Sequence, residues 1–387
     1  MYELLIALFS NNFMYYANYF MVLIFVYMIY KEKFKYYLTG SSAFFILFLG
    51  TLTYCALYLR NYDAPTSSTF LLRYIAPLVL FYCGFIRGRA GIDTLRIDTM
   101  VIAFSSCLHG ILNVIYNRNL DILAIAGRQY NDIYGGVLAG TLQNLFFVTS
   151  SALLLYFIAC EKHKILKTLG IIAALCGVYG SLMNASRTMI IVTFLIFFVA
   201  MFIYLHTKYG FSTAIVRYIS VVIVLLIVAF LCLWLDLLNI QEWIANTALG
   251  QRASITKSGH TIFDNDRWRY ATDILKLLPQ YPLGKVPYAS YAHNLWLDVA
   301  KEAGVIPLMF YIIFSICAVK TTLVFYRNKK IDYSYKVFFV PIVITFLLVF
   351  FTEPIMEGMP ITFSLFCFVI GGLTGINKFR TDVAYSV

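Results

Sequence analysis

The sequence predicts an all-α polytopic membrane protein of about eleven transmembrane helices (ten to twelve), with one large, partly helical extracytoplasmic loop. Three observations predict it. The 387 residues are 61% hydrophobic and only 13% charged, where a soluble domain carries about 25% charged residues and needs them to face water. Apolar runs of about 20 residues, the length that crosses a bilayer as a helix, recur along the chain. No alternation of period two recurs, as a membrane barrel would require. Disordered, coiled-coil and disulfide-framework classes are excluded by the same composition.

The predicted spans are, in order, Asn12–Tyr30, Leu38–Leu59, Phe70–Ile86, Thr99–Tyr116, Val137–Ala159, Leu166–Met183, Arg187–His206, Tyr218–Leu238, Ala303–Tyr326, Val337–Phe351 and Ile361–Gly375. The first is not a cleavable signal, because Glu3 stands where a basic start belongs and Lys31, Lys33 and Lys35 follow the apolar run. Residues 1–238 thus hold eight spans, residues 239–302 an outer loop carrying the candidate active site, and residues 303–387 three spans and a short tail.

The net charge of +11 is distributed by topology. One set of alternating loops holds Lys31/Lys33/Lys35, Arg87/Arg89/Arg96, Lys162/Lys164/Lys167, Lys208/Arg217, Arg327/Lys329/Lys330/Lys336 and Lys378/Arg380. The opposite short loops hold only Arg60, Arg118, Arg128 and Arg187. The positive-inside rule places the rich set in the cytoplasm, the N-terminus outside and the C-terminus inside. No soluble basic domain exists to bind nucleic acid. The eight cysteines lie in or beside apolar spans without a CxxC pair, which suggests small buried side chains and neither a disulfide framework nor a zinc site.

The loop Asn239–Glu302 stands out, at about 64 residues. It holds three of the four tryptophans (Trp243, Trp268, Trp296) and two of the five histidines (His260, His293). Asp264-Asn265-Asp266 offers N-caps to a helix whose Trp268, Ala271, Thr272, Leu275 and Leu278 recur at helical spacing up to Pro279. The segment Pro279–Gly284 breaks it. A second helix is predicted from Tyr291–His293 into the ninth span, with His293, Trp296, Leu297 and Ala300 on one face. Arg267 and His293 would then each occupy a helix first turn, whose free N–H groups suit an anion. Asn184-Ala185-Ser186 can cap the seventh span and set Arg187 at its outer end.

Ala292-His293-Asn294, followed about nine residues after the histidine by Glu302 and then Gly304, resembles the signature of bacterial O-antigen ligases and Wzy-type O-antigen or capsule polymerases. Asp266-Arg267-Trp268 with Tyr281-Pro282-Leu283-Gly284 is similar to that superfamily's Arg/Trp helix and Pro-x-Gly break, and Ser186-Arg187 to its Ser-Arg at a span end. One departure is Lys285, where many members have a second glycine nearby. The resemblance covers the loop and the span plan. It implies transfer of a glycan from a polyprenyl (undecaprenyl) diphosphate carrier to an acceptor sugar hydroxyl, on the outer face of the bacterial cytoplasmic membrane. A chain-length regulator is the further protein partner it implies.

For that chemistry His293 is the candidate base, and Arg187 and Arg267 are the candidate diphosphate clamps. Arg269, Glu302 and Asn294 are lesser candidates, Glu302 lying about 180° from His293 on a continuous helix. Asp264-Asn265-Asp266, the Asp-x-Asp of the outer loop, reads as a helix cap, and a metal-free, cofactor-free reaction is the expectation. Bland readings stand beside these: a histidine packed by tryptophan, and arginines that snorkel at the membrane boundary. His109 reads as a bundle residue, His260 as a solvated loop tip, and Glu353 and Glu357 as a short outer loop open to an acceptor. Gly136/Gly140 and Gly371/Gly375 have the spacing of close helix contacts. Three functions compete: repeat-unit polymerase, favoured; O-antigen ligase to lipid A core; and non-enzymatic flippase, disfavoured by the scarcity of ions within spans.

Overall fold

The computed structural model describes residues 2–14, 17–31, 41–119, 129–184, 186–234, 242, 246–247, 266–287 and 292–385. About 81% of these described residues are helical. Its described elements are α1 Tyr2–Ser10, α2 Asn18–Lys31, α3 Ser42–Asn61, α4 Ser67–Ala90, α5 Ile92–Tyr116, β1 Gln129–Asn131, β2 Val137–Ala139, α6 Asn144–Ala159, α7 Lys164–Met183, α8 Arg187–Tyr209, α9 Phe211–Trp234, α10 Asp266–Leu277, α11 Leu295–Ala303, α12 Val305–Arg327, α13 Tyr333–Phe350, α14 Ile355–Gly358 and α15 Pro360–Tyr385. Eight described helices (α3, α4, α5, α7, α8, α12, α13 and α15) are long and apolar enough to cross a membrane. The fold is that of an all-α, multi-pass membrane protein.

Among the described residues three of the eleven predicted spans fall short of that length, for physical reasons. The predicted first span begins with a break: Asn12 and Met14 take φ of 55° and 43°, and Asn18 Nδ2 donates to Asn12 Oδ1 at 2.5 Å. That leaves α2 with 14 residues. The fifth predicted span starts with a strand, because Gly135 and Gly136 (φ 96° and 93°) turn the chain and Val137–Ala139 pairs antiparallel with Gln129–Asn131. Short apolar runs fit strand and helix equally by periodicity. Gly136 therefore sits in a hairpin turn, not at a helix contact. In α9 the apolar stretch with described side chains is Phe211–Leu225, and residues 235–238 lie outside the described residues.

The chain divides into two compact units, Met1–Ser105 with Thr261–Asn328 and Phe346–Val387, and Ser106–His260 with Lys329–Thr345. In the first, α15 lies against α4 with backbone nearly touching backbone. A Cβ on Gly84 would stand 1.9 Å from Phe368 O, and one on Gly371 1.9 Å from Phe81 O. Small residues at this spacing let membrane helices approach closely. In the second, glycines of α7 admit rings of α6: a Cβ on Gly170 would lie 2.2 Å from Phe157 Cγ, and one on Gly180 2.4 Å from Phe147 Cε2.

Candidate active site

In the first unit, α10, the Pro279–Gly284 break and α11 fold as one module. Arg267 falls in the first turn of α10, as its sequence position predicts, and its side chain lies outside the described residues. Arg269 is exposed, with its guanidinium 5.2 Å from the Tyr270 ring centre. Leu278, Val286 and Ala300 form a small core between the two helices, with Leu277, Val305 and Leu308 against it. The break is fastened to the end of α11. Val286 N donates to Lys301 O at 3.1 Å, Val305 N to Pro282 O at 2.9 Å, and Asn61 Nδ2 to Leu283 O and Glu302 O at 2.7 and 2.9 Å. The fit leaves no room for side chains at two glycines: a Cβ on Gly284 (φ 88°) would lie 2.4 Å from Glu302 O, and one on Gly304 (φ 85°) 2.1 Å from Pro282 O. Lys285 also takes a left-handed φ of 59°.

Gly304 ends α11, so the helix predicted to run on into the ninth span is interrupted there. Its start is also displaced. Asn294 is the N-cap, and its Oδ1 accepts from Trp296 N and Leu297 N, both at 3.1 Å. Buried Asp298 accepts from Ala292 N at 2.9 Å and Asn294 N at 3.4 Å. Burial pushes the Asp298 carboxyl up to about 6 in spite of those donors. Thus His293 precedes the cap instead of lying in the first turn, and the N–H groups of that turn are engaged internally rather than offered to an anion.

His293 has a φ of 50°, which takes its side chain off the Trp296–Ala300 face. Its Nδ1 stands 3.9 Å from Glu353 Oε2, a charge contact beyond hydrogen-bond length. Glu353 is 2% exposed and the His293 side chain 26%. A cavity of about 600 Å³ opens beside Asn294, lined chiefly by apolar side chains including Leu275, Trp296, Leu297, Leu308, Ile312 and Phe351. Trp296 is fixed in its wall by Nε1 donating to Ser315 Oγ at 3.1 Å, with its ring 4.5 Å from that of Phe351.

Glu302 points the other way, into the first unit. It is buried, accepts from Tyr54 OH, and lies 3.8 Å from Arg73 Nη1. Burial lifts its carboxyl to about 7, against the pull of Arg73. The neighbouring Lys301 is 3.3 Å from Glu357. Burial works to lower its ammonium pKa, and the carboxylates of Glu357, Glu302 and Asp298 together outweigh that and hold it raised. Arg73 was missed by sequence reasoning, although a cation inside the apolar run 70–86 is itself a signal. The π-turn Leu71–Ile75 inserts an extra residue and turns Leu72, Arg73 and Tyr74 all inward.

Arg187 belongs to the second unit. It opens α8 and is exposed, and Ser186 Oγ caps that helix by accepting from Met189 N at 3.4 Å. His109 is buried in the same unit, 2.7 Å from Asp132 and stacked 4.1 Å from Phe146. Asn113 Nδ2 donates to Asp132 at 3.0 Å and Asn117 binds Asn131, so this polar cluster fastens the hairpin to α5. His260 lies outside the described residues. Among the described residues, no group of three or more His, Cys, Asp or Glu side chains could hold a metal ion.

No family model matches the chain, and no curated protein matches it at a significant level.

Proposed function

We propose that this chain is a Wzy-type polymerase of lipid-linked oligosaccharide repeat units, transferring glycan from a polyprenyl diphosphate to an acceptor sugar hydroxyl outside the bacterial cytoplasmic membrane. The observation that carries the reading is the setting of His293: a partly exposed imidazole beside the buried Glu353, one residue before Asn294 in the wall of an apolar cavity. The motif resemblance supplies the reaction class. The N-terminus is outside, the C-terminus is cytoplasmic, and the three shorter apolar helices complete about eleven passes.

In this reading the acceptor hydroxyl attacks C1 of the donor sugar while His293 takes its proton. The bond from C1 to the phosphate oxygen breaks, and the electron pair leaves with the lipid diphosphate. Glu353 stands on the Nδ1 side of the ring, so Nε2 is the nitrogen turned to the hydroxyl, and the carboxylate stabilises the imidazolium that forms. Arg267, in the same unit, balances the charge that develops on the diphosphate. The apolar cavity takes the start of the isoprenoid chain.

A deletion strain on a glycolipid gel tests this. A single repeat unit left on the core is the expected result. Bare core with lipid-linked polymer accumulating assigns the ligase reaction instead, and an unchanged ladder removes both. His293→Ala should insert in the membrane normally and fail to restore chain growth.

A further inference from the structure

At the far end of the first unit from α11 along α12, a second pocket of about 330 Å³ lies between α3, α12 and α15. Its lining includes Ser41, Ser42, Lys320, Thr321, Asn377 and Lys378. We propose that this pocket binds the phosphate headgroup of an anionic phospholipid.

The charge arrangement carries the argument. Lys320 and Lys378 come from different helices, and none of the described residues lining the pocket is acidic. The N-terminus of the 20-residue α3 adds the partial positive charge of its first turn. Two ammonium groups and a helix N-terminus lining one cavity make it favourable to an anion. Hydroxyls of Ser42 and Thr321 provide neutral donors. Asn377 Nδ2 donates to Thr321 O at 3.0 Å and ties α15 to α12, so the walls are joined before any ligand arrives.

Position and shape select a lipid over a free phosphate. Lys378 closes the apolar stretch of α15, and Lys320 lies two turns before Arg327 at the end of α12, so the pocket sits where hydrocarbon gives way to headgroups. Ala43, Cys317 and Val324 complete its wall, and Val324 is 50% exposed on the lipid-facing surface. An acyl chain can run down that side while the phosphate meets the lysines.

The test uses the full chain, purified and reconstituted with equal amounts of phosphatidylglycerol and phosphatidylcholine, with retained lipid counted by native mass spectrometry. The wild type retains phosphatidylglycerol preferentially. The Lys320→Gln/Lys378→Gln variant loses that preference by about thirty-fold, from two near-surface cations, and Lys320→Arg keeps it. Equal retention of the two lipids, or an unchanged preference in the double variant, overturns the proposal. Displacement by inorganic phosphate without any phosphatidylglycerol selectivity also overturns it, by assigning the site to free phosphate.

Discussion

Glu353 brings its carboxylate to 3.9 Å from His293 Nδ1 although the two residues belong to different segments of the chain, one before α11 and one after α13. Under the proposed function Glu353 acts through the imidazole and not on the substrate. His293→Ala should lower the rate of chain growth by about 10²- to 10⁴-fold, the usual contribution of a general base. Glu353→Gln should cause a smaller loss, with Glu353→Asp intermediate between it and the wild type. In vitro polymerisation by purified protein checks the order. A Glu353→Gln protein with full activity removes Glu353 from the mechanism.

Asn294 caps α11 through its Oδ1, which accepts from Trp296 N and Leu297 N. Asn294→Ala should therefore cost about 0.5–2 kcal/mol, while Asn294→Asp, an equally good cap, should keep the melting temperature. Thermal melts in detergent separate the two. If Asn294→Asp melts as low as Asn294→Ala, capping is not what holds the residue.

What could be read from the sequence was local. The start of α10, the Pro279–Gly284 break and the Ser186 cap rest on neighbours within a few residues, and each appears where its residues point. The start of α11 was misplaced because His293 and Asn294 are both acceptable before a helix, and only the backbone distinguishes the cap, φ −151°, from the residue before it, φ 50°. Arg73 with Glu302, and His293 with Glu353, join residues far apart in the chain. No periodicity links such pairs, so composition and spacing leave them invisible. Only the second strand of the hairpin, Val137–Ala139, reads as part of a span, because it is apolar and precedes a long apolar run.

The junction of α11 with α12 rests on Gly304, whose φ of 85° and ψ of −165° suit glycine alone. A Cβ there would meet Pro282 O at 2.1 Å. Gly304→Ala should lose on the order of 3 kcal/mol or more, the backbone strain of about 1–3 kcal/mol plus the clash. Gly135→Ala, with φ 96° and nothing within 4 Å of the added carbon, bears the strain alone and should cost less. Denaturant or thermal unfolding of the two variants compares them. Equal losses would mean that the packing of the break against α11 contributes nothing.

Arg73 and Glu302 should respond unequally to removal of their partner. Glu302, with its carboxyl already raised to about 7 by burial, can take a proton when Arg73 is gone. Arg73 cannot lose one. Glu302→Gln should thus cost about 3–5 kcal/mol, the usual result of stranding a buried charge, and Arg73→Met distinctly less. The double variant should recover part of the loss, giving a coupling measurable by a double-mutant cycle. Equal single losses that simply add would show that the pair does not interact.

Asp298 makes the start of α11 sensitive to pH. Burial raises its carboxyl from 3.8 to about 6, so the folded protein holds this proton more tightly than the unfolded chain does. Its contribution to stability is complete below the unfolded value, declines as pH rises through about 6, and is constant above that. The decline is at most on the order of 3 kcal/mol. Hydrogen exchange at Ala292 and Asn294, corrected for intrinsic rates, should show protection falling as pH rises across that window. Asp298→Asn keeps an acceptor for the Ala292 amide and removes the titration, so its protection should be flat. The same slope in Asp298→Asn would assign the pH dependence to another group.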